Sequence, residues 1–62
     1  RESVERIENV FIDLLQSRSL SEIRVSEICK KAGLNRSTFY ANYTDIFELA
    51  DTIRDRLENN LA

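Results

Sequence analysis

The side chains able to do chemistry in this sequence crowd between Asn35 and Tyr43. Asn35, Arg36, Ser37, Thr38, Tyr40 and Asn42 all donate hydrogen bonds, and only Arg36 among them is charged. Hydroxyls and amides packed this closely suit a wet, anionic surface, because phosphate oxygens accept from them. Arg36 adds a planar fork that fits guanine O6 and N7, a contact that discriminates by ~1–3 kcal/mol. Double-stranded DNA is therefore the expected partner. The plainer readings remain open at this point: Tyr40 as a half-buried packing aromatic and Arg36 as a solvated arginine. Covalent catalysis is poorly served. The chain has no histidine, a single Cys29 and no pair of carboxylates spaced for a shared site, so an enzyme is not expected. No ligand set for a metal is present, and no cofactor is expected.

Those residues need elements to hold them. Gly33 is the only glycine. It follows the 3-4-7 stripe Val25, Ile28, Cys29, Ala32, which predicts a helix over 25–32. A glycine there suits a helix end, where the backbone turns left-handed without Cβ strain. Asn35 then offers its side-chain oxygen to the first free N–H groups of a new helix over 35–43, anchored by Leu34, Phe39 and Tyr43. Arg24 and Ser26 stand at the start of the 25–32 helix. N–H groups, hydroxyl and charge together there suit a phosphate; the same residues also suit a solvated basic edge, and spacing alone does not choose.

Residues 1–16 predict an amphipathic helix. Val4, Ile7, Phe11 and Leu14 form its stripe, Val10 and Leu15 widen it, and Glu2, Glu5, Arg6, Glu8 and Asp13 take the opposite face. Ser17-Arg18-Ser19 is a polar break. Leu20 and Ile23 plug the core beyond it, and Ser21 caps a short turn before Glu22. Residues 45–60 predict a last helix that opens on Asp45-Ile46-Phe47-Glu48, an Asp version of the capping box. Its stripe is Ile46, Leu49, Ala50, Ile53 and Leu57, with Phe47 beside it. Asp51, Arg54, Asp55, Arg56 and Glu58 face solvent, with Asp51–Arg54 attractive and Asp51–Asp55 repulsive.

Sixty-two residues make one domain of marginal stability, with no disulfide possible within the chain and no proline. The chain starts at Arg1 without Met and ends mid-pattern at Leu61-Ala62, so it reads as a piece of a longer protein. No run approaches the roughly 20 apolar residues of a membrane span, and no signal-peptide pattern is present. Cys29, in a core stripe, reads as a small buried hydrophobe suited to a reducing, cytoplasmic setting. The net charge of −2 hides a division. Residues 17–43 carry Arg18, Arg24, Lys30, Lys31 and Arg36 against Glu22 and Glu27, a local +3, while residues 1–16 sum to −2 and residues 44–62 to −3. Local charge, not the total, sets what a face attracts.

The run from Val25 to Leu49 resembles the N-terminal DNA-binding domain of TetR/AcrR-family transcriptional regulators. The shared pattern is an apolar helix, Ala32-Gly33-Leu34, a small polar cap, Thr38, Phe39, Tyr40, two variable residues, Tyr43, and a capped helix ending in Glu48-Leu49. The resemblance implies an all-α, homeodomain-like helix-turn-helix bundle of three helices plus the start of a fourth, linking helix. It implies that the second helix of the motif docks in the major groove. Thr38 and Tyr40 then fall at phosphate-contacting positions, Asn35, Arg36 and Ser37 at base edges or the groove wall, Asn42 at a backbone-reaching position, and Arg24 and Ser26 at the phosphate-facing start of the second helix. The resemblance further implies a ligand-responsive repressor that dimerises through an absent C-terminal domain, where a small-molecule inducer binds. One departure stands out. The family usually places Lys just after the cap of the fourth helix, and this chain has Ile46. Losing that cation removes roughly one phosphate contact and flattens the salt dependence by about one unit; Ile46 then packs into the core or against the absent domain. A helical protein-interaction module without nucleic acid is the alternative, and the acidic ends and Ile46 favour it.

Overall fold

The computed structural model describes residues 2–61, with side chains through Glu58. Arg1 and Ala62, which the expected first helix and the reading of the chain ends touch, lie outside the described residues. Four α-helices follow one another: α1 (Glu2–Leu15), α2 (Val25–Ala32), α3 (Arg36–Asn42) and α4 (Ile46–Leu61), with a single 3₁₀ turn at Leu20–Glu22 between α1 and α2. The architecture is all-α, and the described residues contain no strand. No helix among them is long and apolar enough to cross a membrane.

One apolar core joins the helices. Ile7, Phe11 and Leu14 enter it from α1, Ile28 and Cys29 from α2, Phe39 from α3, and Ile46 and Leu49 from α4, with Ile23 and Tyr43 from the connections. Burying such a side chain contributes about 1.5–3 kcal/mol. Five large side chains are fully buried, so the core of this small chain is densely used. Ile46 belongs to it, and of the two fates expected for that residue the core is the one observed. Leu20 packs against the same cluster from the 3₁₀ turn, as its apolar character predicts.

The turn between α2 and α3 follows from Gly33. Its φ of 71° is left-handed, which a Cβ would strain. The Gly33 N–H reaches back to the Lys30 carbonyl at 3.4 Å, and the Leu34 N–H to the Cys29 carbonyl at 2.9 Å. These paired bonds close the end of α2. Two of the helix starts, those of α3 and of the 3₁₀ turn, use different devices from those the sequence suggests. Asn35 has the extended backbone of an N-cap, but its side chain makes no capping bond. The Thr38 N–H instead bonds the Asn35 backbone carbonyl at 3.0 Å, which frees the Asn35 amide for solvent. Before the 3₁₀ turn the cap is Ser19, not Ser21. The Ser19 N–H donates to Glu22 Oε1 at 3.0 Å and its hydroxyl at 3.1 Å, and these bonds hold the Glu22 carboxyl below its ordinary pKa. At α4 the Asp45 carboxylate accepts from the Glu48 N–H at 2.9 Å, as the capping-box pattern predicts. Glu48 returns the bond to the Thr44 N–H at 2.6 Å, one residue further back than a standard box.

The expected polar face of α1 is corrected at one residue. Glu8 is only 6% exposed. Its Oε2 accepts from the Tyr43 hydroxyl at 3.3 Å, and its Oε1 from the Arg56 guanidinium at 2.5 Å. Arg56, expected among the solvent-facing charges of α4, turns back to this carboxylate, while Arg54 pairs with Asp51 at 2.7 Å as its spacing predicts. Two residues counted in the apolar stripes lie largely outside them: Leu15 on α1 and Leu57 on α4.

Tyr43 carries a titration signature of this arrangement. Burial first, then the adjacent Glu8 charge and hydrogen bond, push its hydroxyl from 10.0 up to about 12. A group whose folded pKa is raised supports the fold below its unfolded pKa and loses that support as pH climbs through the folded value. Stability should therefore fall between pH 10 and about 12, by on the order of 2 kcal/mol from this residue. Urea melts of the chain and of Tyr43→Phe across that window check it: the variant should lack this component of the alkaline loss, and equal slopes would remove Tyr43 as its source.

Candidate nucleic-acid interface

Two elements bring four of the expected site residues to one place. Arg24 is the N-cap of α2 and has extended backbone; its guanidinium, a donor only, has no part in capping that helix start. Ser26 lies in the first turn of α2. Arg36 and Tyr40 lie one turn apart on α3 and share a flank of that helix. Arg24, Ser26, Arg36 and Tyr40, with Val25 at the base, line an open cleft of about 410 Å³. The first N–H groups of α2 have no carbonyl of their own helix to reach. A phosphate in the cleft would meet two guanidiniums, two hydroxyls and a helix start.

The surface of α3 away from the core sorts into three rows of residues four apart. Arg36 and Tyr40 face the cleft. Ser37 and Ala41, both exposed, form a middle row of small side chains that leaves the helix backbone thinly covered there. Thr38 and Asn42 form the third row, and the Asn42 amide donates to the Thr38 carbonyl at 2.9 Å. Asn35, Ser37, Thr38 and Asn42 are not part of the cleft. Arg36, expected with Asn35 and Ser37 at base edges or the groove wall, lines the cleft beside Arg24 and Ser26, the residues expected at phosphates.

What holds α3 in place is buried beneath these rows. Phe39 is fully buried and Tyr43 is 5% exposed, while Tyr40 is 54% exposed. The Phe39 and Tyr40 rings meet edge to face with centroids 5.3 Å apart, and Phe39 and Tyr43 lie 5.5 Å apart. Adjacent aromatics thus divide the work, with Phe39 inward and Tyr40 outward. Cys29 is buried under the same helix start, and burial raises its thiol pKa. Its Sγ lies 3.7 Å from the Asn35 carbonyl. It packs as a small hydrophobe, as its stripe position predicts.

The charge pattern sharpens on the folded chain. Among the described residues Arg6 pairs with Glu2, Arg18 with Glu27, Arg54 with Asp51 and Arg56 with Glu8. Arg24, Lys30, Lys31 and Arg36 make no ion pair within the described residues, and all four belong to the helix-turn-helix segment. Between Ile23 and Thr44 the sole acid is Glu27, and Arg18 neutralises it. A second groove of about 600 Å³ is lined by Ser26, Glu27, Lys30 and Lys31 of α2; these lysines belong to the local +3 of the middle segment, but the sequence predicts no contact site at them. Only their lack of an acid partner at helical spacing, once Glu27 is occupied, marks them, and that requires the fold. Among the described residues no group of His, Cys, Asp or Glu is placed to hold a metal ion. Compared with known proteins, the chain matches no family model, no curated protein and no solved structure.

Proposed function

We propose that this chain is the double-stranded-DNA-binding domain of a transcriptional regulator of TetR/AcrR type, with α3 entering the major groove. One observation carries the reading: Arg24, Ser26, Arg36 and Tyr40, drawn from two helices, line a single cleft, and its two guanidiniums are without an ion-pair partner among the described residues. Two guanidiniums and two hydroxyls suit a backbone phosphate. The small row of Ser37 and Ala41 allows close approach, with Asn35 and Ser37 nearest the base edges at the start of α3. The resemblance adds a homodimer, an inducer-binding domain and repression as the mode of action. The alternative, a protein-interaction module, loses a support here, because Ile46 is core and offers no surface.

The test is fluorescence anisotropy with a labelled mixed-sequence duplex over a salt series. Arg36→Ala and Tyr40→Phe should each weaken binding on every sequence. Arg36→Ala should also lower the salt slope by about one unit, as expected of a phosphate contact. A loss confined to guanine-bearing sites would move Arg36 to the base edges. Unchanged binding in both variants, or no salt-sensitive binding by the chain itself, would overturn the docking face.

A further inference from the structure

The four unpaired cations form two pairs on either side of Ser26, which lines both the Arg24–Arg36 cleft and the Lys30–Lys31 groove. At about 1.5 Å per residue, Ser26 and Lys30 are separated by about 6 Å along α2. A nucleic-acid strand rises about 3.4 Å per nucleotide, so that separation corresponds to about two nucleotides along a strand. The second groove contains one acid, Glu27, and its position is unfavourable for this purpose. It precedes Lys30 by three residues and Lys31 by four, the spacings at which a glutamate pairs with lysine along a helix. It does not pair with them. Arg18, from the segment after α1, holds the Glu27 carboxylate instead. An exposed pair of this kind adds little to stability, yet it leaves both lysines unpaired.

We propose that Lys30 and Lys31 form a second contact to the DNA backbone, and that the Arg18–Glu27 ion pair keeps this contact open by holding Glu27 away from the lysines. The inference rests on the DNA-binding reading above and extends its footprint to the Lys30–Lys31 groove. Arg18 is a positioning residue here: it touches no DNA, and its effect runs through Glu27. The arrangement also leaves the stretch between Ile23 and Thr44 without an uncompensated acid in a chain of net charge −2.

The test uses the same mixed-sequence duplex and salt series on the whole chain. Lys30→Gln combined with Lys31→Gln should lower the salt slope by about two units and weaken binding by about tenfold per lysine near 50 mM salt. Far-UV circular dichroism should be unchanged, since both side chains are exposed. Arg18→Gln should weaken binding about two- to fivefold, the scale of one exposed ion pair. Glu27→Gln should strengthen it. The double variant, Arg18→Gln with Glu27→Gln, should bind as well as Glu27→Gln alone, because with no carboxylate to restrain, Arg18 has nothing to do. A double variant as weak as Arg18→Gln would mean that Arg18 touches DNA itself, and the positioning role would fall. If Arg36→Ala and Tyr40→Phe weaken binding while the lysine variant keeps the full salt slope, the second contact is wrong and the first reading stands. If the chain shows no salt-sensitive binding, both fall together.

Discussion

Phe39→Ala should leave the chain largely unfolded at room temperature. Phe39 is fully buried and sits where α3 meets the core that α1, α2 and α4 supply. Truncating a buried phenylalanine to alanine costs ~3–5 kcal/mol, the larger figure where the site cannot collapse. A chain of 62 residues at roughly 0.05–0.15 kcal/mol per residue holds about 3–9 kcal/mol in all. The loss is therefore on the scale of the total, in a chain whose single cysteine can form no internal disulfide. Tyr40→Ala, one residue away, removes a ring that is 54% exposed and should stay within about 1 kcal/mol of the parent. Urea titrations followed by far-UV circular dichroism separate the two. A cooperative Phe39→Ala transition within 1 kcal/mol of the parent would mean that α3 is not seated by this ring, and the outward presentation of its polar rows would lose its physical basis.

The contrast between those neighbours shows what the sequence could convey. Period and spacing report which side of a helix is apolar, and that was enough to separate Phe39 from Tyr40, to bound α2 at Val25–Ala32 and to place the left-handed turn at Gly33. The charge asymmetry was equally legible, because acids and bases along the chain need no fold to be counted. Periodicity is silent on what another helix brings alongside. Glu8 is adjacent to Ile7 in sequence, and only the arrival of Tyr43 and Arg56, 35 and 48 residues away, turns it from a surface charge into a buried acceptor. Leu57 shows the converse, since it keeps the stripe's spacing but stays 57% exposed. Capping was half legible. Asp45 caps α4 as its type predicts, while Asn35 leaves the work to its backbone carbonyl, a choice set by local dihedrals that residue type alone does not fix. The site followed the same division: the residue types of the cleft were readable, but the grouping of Arg36 with Arg24 was not, because it depends on how α2 and α3 cross.

The buried carboxylate also supplies the second large effect. Arg56→Leu should destabilise the chain by about 2 kcal/mol, and adding Glu8→Leu should recover a good part of that loss. Removing one partner of a buried ion pair leaves an uncompensated charge, a change of ~3–5 kcal/mol when both groups are sealed. The Arg56 side chain is 45% exposed, so water reaches its end of the pair and the expected figure is discounted. The Glu8 side chain is 8% exposed and would retain only the Tyr43 hydroxyl. Replacing both charges with leucine removes the stranded carboxylate; what remains is a Tyr43 hydroxyl without its acceptor, at about 1–3 kcal/mol if water does not reach it. A double-mutant cycle on urea midpoints should therefore show strong non-additivity, well above the few tenths expected of independent sites. Hydrogen exchange adds a spatial readout. Arg56 ties the middle of α4 to the same carboxylate that holds Tyr43, the residue that ends α3, so Arg56→Leu should lower protection in α4 before it lowers protection in α1 and α2. Additive effects, or uniform loss of protection, would mean that Glu8 is held well enough by Tyr43 alone and that α4 is secured by Ile46, Leu49 and Ile53 without it.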